Sequence, residues 1–103
     1  LDIANIILIT GGTGISPKDI SIDVVRSIAK EELPGFGEIH RLKSFDEVGY
    51  RVVLSRTSAF IINKSLVAVS PGNPSAVKIS LDILIHIANH AVEQLSGKSH
   101  ASA

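Results

Sequence analysis

Residues 8–14 read LITGGTG, an apolar strand-like run that ends in three glycines within four positions. No other stretch restricts the fold as much. Ile3 to Ile9 is β-branched with little alternation, the pattern of a strand buried on both faces in a helix-covered parallel sheet. After the loop, Val24, Val25, Ile28 and Ala29 recur at helical spacing. Ser21 is the candidate N-cap, Asp23 falls in the first turn, and Leu33-Pro34-Gly35 ends the segment. Strand, glycine loop and helix form the first half of a βαβ unit. In open parallel sheets ligands bind beyond the carboxyl ends of the strands, which makes this loop the first candidate site.

From Phe36 to Leu54 the apolar residues Ile39, Leu42, Phe45, Val48 and Val52 fall three or four apart. That spacing predicts two short helices hinged near Ser44, the second weakened by Gly49. Two strand-like runs, Ser58 to Ile62 and Leu66 to Val69, flank Asn63-Lys64-Ser65 and predict a hairpin. Ser70-Pro71-Gly72-Asn73-Pro74 is a second loop of turn residues directly after an apolar strand. Val77, Leu81, Leu84, Ala88, Val92 and Leu95 then make one helical stripe, with Lys78, Asp82, His86, Asn89 and Glu93 opposite. Gly97 stops that helix, and a frayed tail is expected over 97–103. The expectation is an α/β domain over 1–96: a three-layer, mostly parallel sheet flanked by helices, with a short hairpin. If their strands are neighbours, the loops of LITGGTG and AVSPGNP form two walls of one pocket.

Length and charge narrow the function. The 103 residues suffice for one core, and ten basic against ten acidic residues leave no net charge. Such a chain has no general electrostatic reason to bind nucleic acid or an anionic membrane. It has no cysteine, so disulfides and thiolate-held metals are excluded. No apolar stretch approaches the ~20 residues of a membrane span. Leu1-Asp2-Ile3 lacks the basic start of a signal peptide. The chain begins without methionine, directly in a strand-like run, so further sequence is expected upstream.

Few residues carry chemistry. Gly11, Gly12, Thr13 and Gly14 present backbone N–H groups and one hydroxyl ahead of a helix, which suits a phosphate. The loop matches neither G-x-x-x-x-G-K-[ST] nor G-x-G-x-x-G, and a tight strand-to-helix turn is the competing reading. Asp19 follows closely. A carboxylate beside bound phosphate is favourable only with a cation between them, usually Mg2+, and otherwise Asp19 is a cap or faces water. Glu31-Glu32 and Asp46-Glu47 read as solvated helix surface. His86 and His90 have a zinc-compatible spacing but no third ligand, and read as surface. His40, Arg41 and Arg56 can meet an anion or simply water. Ser55 is either a site hydroxyl or one bonded to backbone. No nucleophile-and-base pair is readable.

The order of these pieces resembles one family. TGGTG at 10–14 with Pro17 and Asp19, then ELPGFGE at 32–38, Leu54-Ser55-Arg56, and Pro71-Gly72-Asn73-Pro74 is similar to the MoaB/MogA-type molybdopterin adenylyltransferases. The likeness runs from about Ile3 to about Leu95. It implies Mg2+-dependent transfer of AMP from ATP to the terminal phosphate of molybdopterin, upstream of a molybdenum-insertion protein. By that pattern Gly11, Gly12, Thr13 and Gly14 hold the pterin phosphate region, and Asp19 is the functional aspartate and Mg2+ ligand. Ser55 lines the active site, Pro71 and Gly72 form the opposing loop, and Glu38 belongs to the pocket architecture. The resemblance also implies a cytoplasmic homotrimer or homohexamer. Family domains begin with further strands and helices that carry a second acidic residue, and those have no counterpart here. A non-catalytic molybdopterin-binding or assembly member is one alternative. A CinA-like nucleotide pyrophosphatase is another, although GGTG departs from the glycine loops of that group.

Overall fold

The computed structural model describes residues 4–97. The elements are β1 (Asn5–Thr10), α1 (Ser21–Ile28), β2 (Glu31–Leu33), α2 (Pro34–Val48), a 3-10 segment (Gly49–Leu54), β3 (Ser58–Ile62), β4 (Ser65–Ser70) and α3 (Pro74–Leu95). They build one four-stranded sheet in the order β1-β4-β3-β2. β1 runs parallel to β4, pairing Asn5 with Ser65 through Thr10 with Ser70. β3 pairs antiparallel with β4 and with β2. The expected α/β class, flanking helices and hairpin are all present, but the sheet is not mostly parallel: only β1 and β4 pair that way, because the hairpin and β2 add antiparallel strands. At the hairpin turn Asn63 takes φ 54°, the left-handed region that asparagine tolerates.

β4 organises the core through its period-2 alternation. Val67 and Val69 point with Phe60 of β3 to one face, against Ile22 and Val25 of α1. Leu66 and Ala68 point with Ala59 to the other, against Phe36 of α2 and Leu84 of α3. Helix, sheet and two helices thus form three layers. β1 lies at the sheet edge, where Ile6 and Leu8 share an open apolar groove with Leu81 and Ile85. Among the described residues no helix is long and apolar enough to cross a membrane.

Several local expectations are corrected. Helix α1 stops at Ile28 rather than at Leu33, and Ser21 is its first helical residue; Ile20 occupies the cap position. Residues 31–33 form β2 instead, because Leu33 precedes a proline and is pushed out of the helical region, taking φ −113° and ψ 82°. The strand is held by its ladder to β3 and by Glu32, which accepts two bonds from Arg26 and one from Ser58. Arg26 also covers the ring of Phe60, 5.7 Å from its centroid. Glu32 is therefore no free surface carboxylate.

Pro34 starts α2 rather than ending its predecessor, which suits a residue without an N–H. Ser44 is not a hinge: its buried hydroxyl donates to the His40 carbonyl at 2.8 Å, and α2 runs unbroken to Gly49, at φ 71°. In α3 the buried stripe is Ala76, Ser80 and Leu84, while Leu81 is 46% exposed. Small residues let this helix sit close to the sheet, and hydropathy alone misses that choice. The expected tail at 98–103 lies outside the described residues.

Candidate anion-binding site

The parallel ladder ends at Thr10 and Ser70, so the loops after β1 and β4 leave the same end of the sheet. They touch. The Gly11 N–H donates to the Ser70 carbonyl at 2.7 Å, and a Cβ on Gly72 would lie 3.6 Å from Gly11 Cα. The expected pair of walls is therefore in place. Gly11 and Gly12 adopt φ 92° and 75°, a conformation glycine accepts at little cost. Asn73 closes the second loop by capping α3, accepting the Ala76 N–H at 2.9 Å.

Within the described residues the consecutive N–H groups of Gly12, Thr13, Gly14 and Ile15 make no hydrogen bond. Successive free N–H groups around positive-φ residues make an anion-binding concavity. Thr13 and Gly14 border a cavity of about 240 Å³ together with Ser55, Pro71, Arg41 and Arg51. Arg41 is fixed, since its Nη1 donates to the Ser55 carbonyl at 3.1 Å and the Thr57 carbonyl at 3.0 Å. Arg51 makes no hydrogen bond or ion pair among the described residues and is exposed at the cavity. No motif in the sequence marks Arg51, a single cation in VGYRVV.

Gly11, Gly12 and Gly72 lie in the two loops but do not border this cavity. Ser55 lines it, but its hydroxyl is bonded to Thr57 Oγ1 at 2.9 Å and receives the Thr57 N–H at 3.3 Å. Asp19 and Glu38 lie outside it. Glu38 borders an adjoining cleft of about 580 Å³ that shares Arg41 and Ser55. Asp19 closes the turn that follows the glycine loop: its Oδ2 accepts the Ser16 N–H at 3.1 Å, and its own N–H donates to the Ser16 carbonyl at 2.8 Å. The carboxylate rests against Gly14, where a Cβ would meet Oδ2 at 2.7 Å. Among the described residues no three acidic or histidine side chains form a metal cluster. Asp46 and Glu47 are exposed on α2, and His86 and His90 are exposed on α3.

Arg56 fastens the loop from behind. Its N–H donates to the Thr13 carbonyl at 2.7 Å, Nε to the Gly14 carbonyl at 2.9 Å, and Nη2 to the Asp19 carbonyl at 2.7 Å. It also grips both carboxylate oxygens of Asp23. That bond holds the Asp23 carboxyl below its ordinary range and raises the guanidinium.

In the cavity wall, buried His40 binds the Ala76 carbonyl through Nε2 at 3.0 Å, tying α2 to the start of α3. The carbonyl requires Nε2 to carry the proton. Burial holds His40 below its ordinary 6.5, against the pull of that carbonyl, with nearby Arg41 lowering it further. A depressed folded value means that the unfolded chain binds more protons, so stability is complete above pH 6.5 and falls as the pH drops below it. Thermal unfolding should show this loss, and His40→Gln should flatten it. An equally steep decline in the variant would remove His40 from the account.

Fold and site together define an α/β domain that presents a glycine loop with unpartnered N–H groups at the end of a parallel strand pair. The chain belongs to the MoCF_biosynth family, whose model, described as "Probable molybdopterin binding domain", matches residues 1–90. It is 43% identical over 98 residues to a molybdopterin adenylyltransferase of Pyrococcus furiosus, covering 87% of this chain and 57% of that protein. It is 39% identical over 94 residues to molybdenum cofactor biosynthesis protein B of Staphylococcus aureus, covering 89% and 56%. The Mog protein of Mycobacterium ulcerans superposes with TM-score 0.84 at 31% identity, over 90% of this chain and 60% of that one. The tungsten cofactor synthesizing protein MoaB of Pyrococcus furiosus gives 0.80 at 38%, over 88% and 59%. The chain thus spans little more than half the length of the relatives it matches.

Proposed function

We propose that the protein containing this chain acts in molybdenum cofactor biosynthesis by transferring AMP from ATP to molybdopterin. The terminal phosphate oxygen of molybdopterin attacks the α-phosphorus of ATP. The bond from that phosphorus to the bridging oxygen breaks, pyrophosphate leaves, and a phosphoanhydride forms. The observation that carries this reading is the array of free N–H groups from Gly12 to Ile15, of which Thr13 and Gly14 border the same cavity as Arg41 and Arg51. Transfer between phosphates needs positioning and charge neutralisation more than covalent chemistry, and such an array supplies both. The adenylyltransferase name of the Pyrococcus furiosus relative supports the same reading.

Asp19 is the residue that would hold Mg2+, from beside the loop and outside the cavity that Thr13 and Gly14 border. Its Oδ1 accepts no bond among the described residues and lies beside Gly14. One carboxylate oxygen plus substrate phosphates is an ordinary Mg2+ environment. When bound, the ion would neutralise charge on the phosphates. Ser55 is assigned to the cavity wall and Pro71 with Gly72 to the opposing loop. Glu38 is assigned to the neighbouring cleft. A cytoplasmic homotrimer or homohexamer feeding a molybdenum-insertion protein completes the proposal. Exposed Leu42, Tyr50 and Val53, each at least 75% accessible, support contacts between subunits.

Gly11→Ala tests the cradle. Nothing lies within 4 Å of the added methyl, so only the φ of 92° resists it. Strain of roughly 1–3 kcal/mol at that backbone should shift the loop. Calorimetry should show molybdopterin affinity falling about tenfold while circular dichroism is unchanged. Unaltered affinity would remove the loop from the binding site.

A further inference from the structure

We propose that Arg56 is the positioning residue of the glycine loop, turning its carbonyls backward so that the Gly14 and Ile15 N–H groups face the bound anion. The proposal rests on the phosphate-cradle reading above. In a trans peptide the C=O of one residue and the N–H of the next point in opposite directions. Arg56 holds the Thr13 carbonyl through its backbone N–H and the Gly14 carbonyl through Nε. The following N–H groups, of Gly14 and Ile15, must therefore point away from Arg56. If either peptide turned over, a carbonyl oxygen would face the phosphate and repel it.

Direct contact between Arg56 and the anion is the competing role, and donor accounting opposes it. A guanidinium has five N–H donors. Here Nε serves Gly14, Nη2 serves Asp19 and Asp23, and Nη1 serves Asp23, which leaves one donor free. A role as a stabilising ion pair is also weak. The Arg56 and Asp23 side chains are 30% and 57% exposed, and pairs this exposed contribute little. What the pair supplies is geometry: Asp23, in the first turn of α1, fixes the fork that fixes the loop. Lysine cannot substitute, because one ammonium group lacks the planar fork that spans two carbonyls and a carboxylate.

The test uses the intact protein labelled with 15N, the variants Arg56→Lys and Asp23→Asn, and inorganic phosphate as the probe. In wild type, phosphate should shift the amides of Gly12 to Ile15. Arg56→Lys should bind phosphate about tenfold more weakly while melting within a few degrees of wild type, the scale of one lost charge-assisted hydrogen bond. Asp23→Asn gives the discriminating sign. Removing a negative charge near an anion should tighten binding on electrostatic grounds alone, whereas loss of the fork should weaken it about threefold, roughly half the free energy of a tenfold change. Tighter or equal phosphate binding by Asp23→Asn overturns the proposal, as does wild-type affinity in Arg56→Lys. Hydrogen exchange separates this failure from failure of the cradle. The hydrogen-bonded amides of Ser16, Lys18 and Asp19 should exchange faster in Arg56→Lys, with β1 and β4 unchanged. If wild type binds no phosphate, the cradle reading fails and exchange alone decides whether Arg56 orders the loop.

Discussion

Gly37→Ala is expected to destabilise the protein by about 3 kcal/mol, at the upper end of what an extra core carbon usually costs. Gly37 is buried one turn into α2, and an added Cβ would collide with the carbonyl oxygen of Thr57. The Arg41 guanidinium nitrogens, at 2.9 and 3.0 Å from that carbon, close off the remaining space. The Thr57 carbonyl cannot simply retreat, since it accepts Arg41 Nη1 just ahead of β3. Helix and strand must therefore part, taking Phe36 out of its contacts in the core and Ser55 out of the cavity wall. Gly35→Ala is the control. Its Cβ would meet only Glu38 Oε1, at 4.0 Å, so the better helix propensity of alanine should leave stability unchanged or slightly raised. Urea unfolding of both variants checks the pair. Equal stability for the two would mean that α2 does not pack as described.

Asp19→Asn is expected to lower AMP transfer by about two orders of magnitude, the scale of removing one preorganised electrostatic contact from a transition state. The amide retains an oxygen to accept the Ser16 N–H, so the turn that Asp19 closes is kept. Only the charge that would hold Mg2+ is lost. Molybdopterin affinity should change little, and excess Mg2+ should recover part of the rate. Steady-state kinetics with an Mg2+ titration would show this as a fall in kcat at near-constant KM. Unchanged kcat would restrict Asp19 to its role in the turn, and a fall in thermal stability would show that even that role needs the charge.

Gly37 meets Thr57, a residue distant in the chain, and such distance explains much of what the sequence concealed. The β1 loop, the Asn63 hairpin and the loop after β4 were legible because each is announced locally, by β-branched runs and turn residues. The meeting of the loops followed from adjacent parallel strands. β2 was not legible: three residues with two glutamates resemble a helix end, and only the ladder to β3 and the Arg26 bonds make them a strand. The single long α2 was hidden by Ser44, whose hydroxyl satisfies itself on the helix behind it. At the site, the glycines, Pro71 and Ser55 could be chosen from motifs. The clamp by Arg56 could not, since it joins residues 42 positions apart. Nor could the position of Asp19 against Gly14, which depends on how the Ser16 to Asp19 turn folds back.

The most direct test of the account is a transfer assay with the intact protein, molybdopterin, Mg2+ and ATP labelled at the α-phosphate. The account predicts that label passes to the pterin with one pyrophosphate released per transfer, and that Gly11→Ala slows it severely. Molybdopterin binding with no transfer of label would contradict the enzyme and leave a binding protein. Release of labelled AMP to water, with none on the pterin, would make the chain part of a nucleotide pyrophosphatase instead.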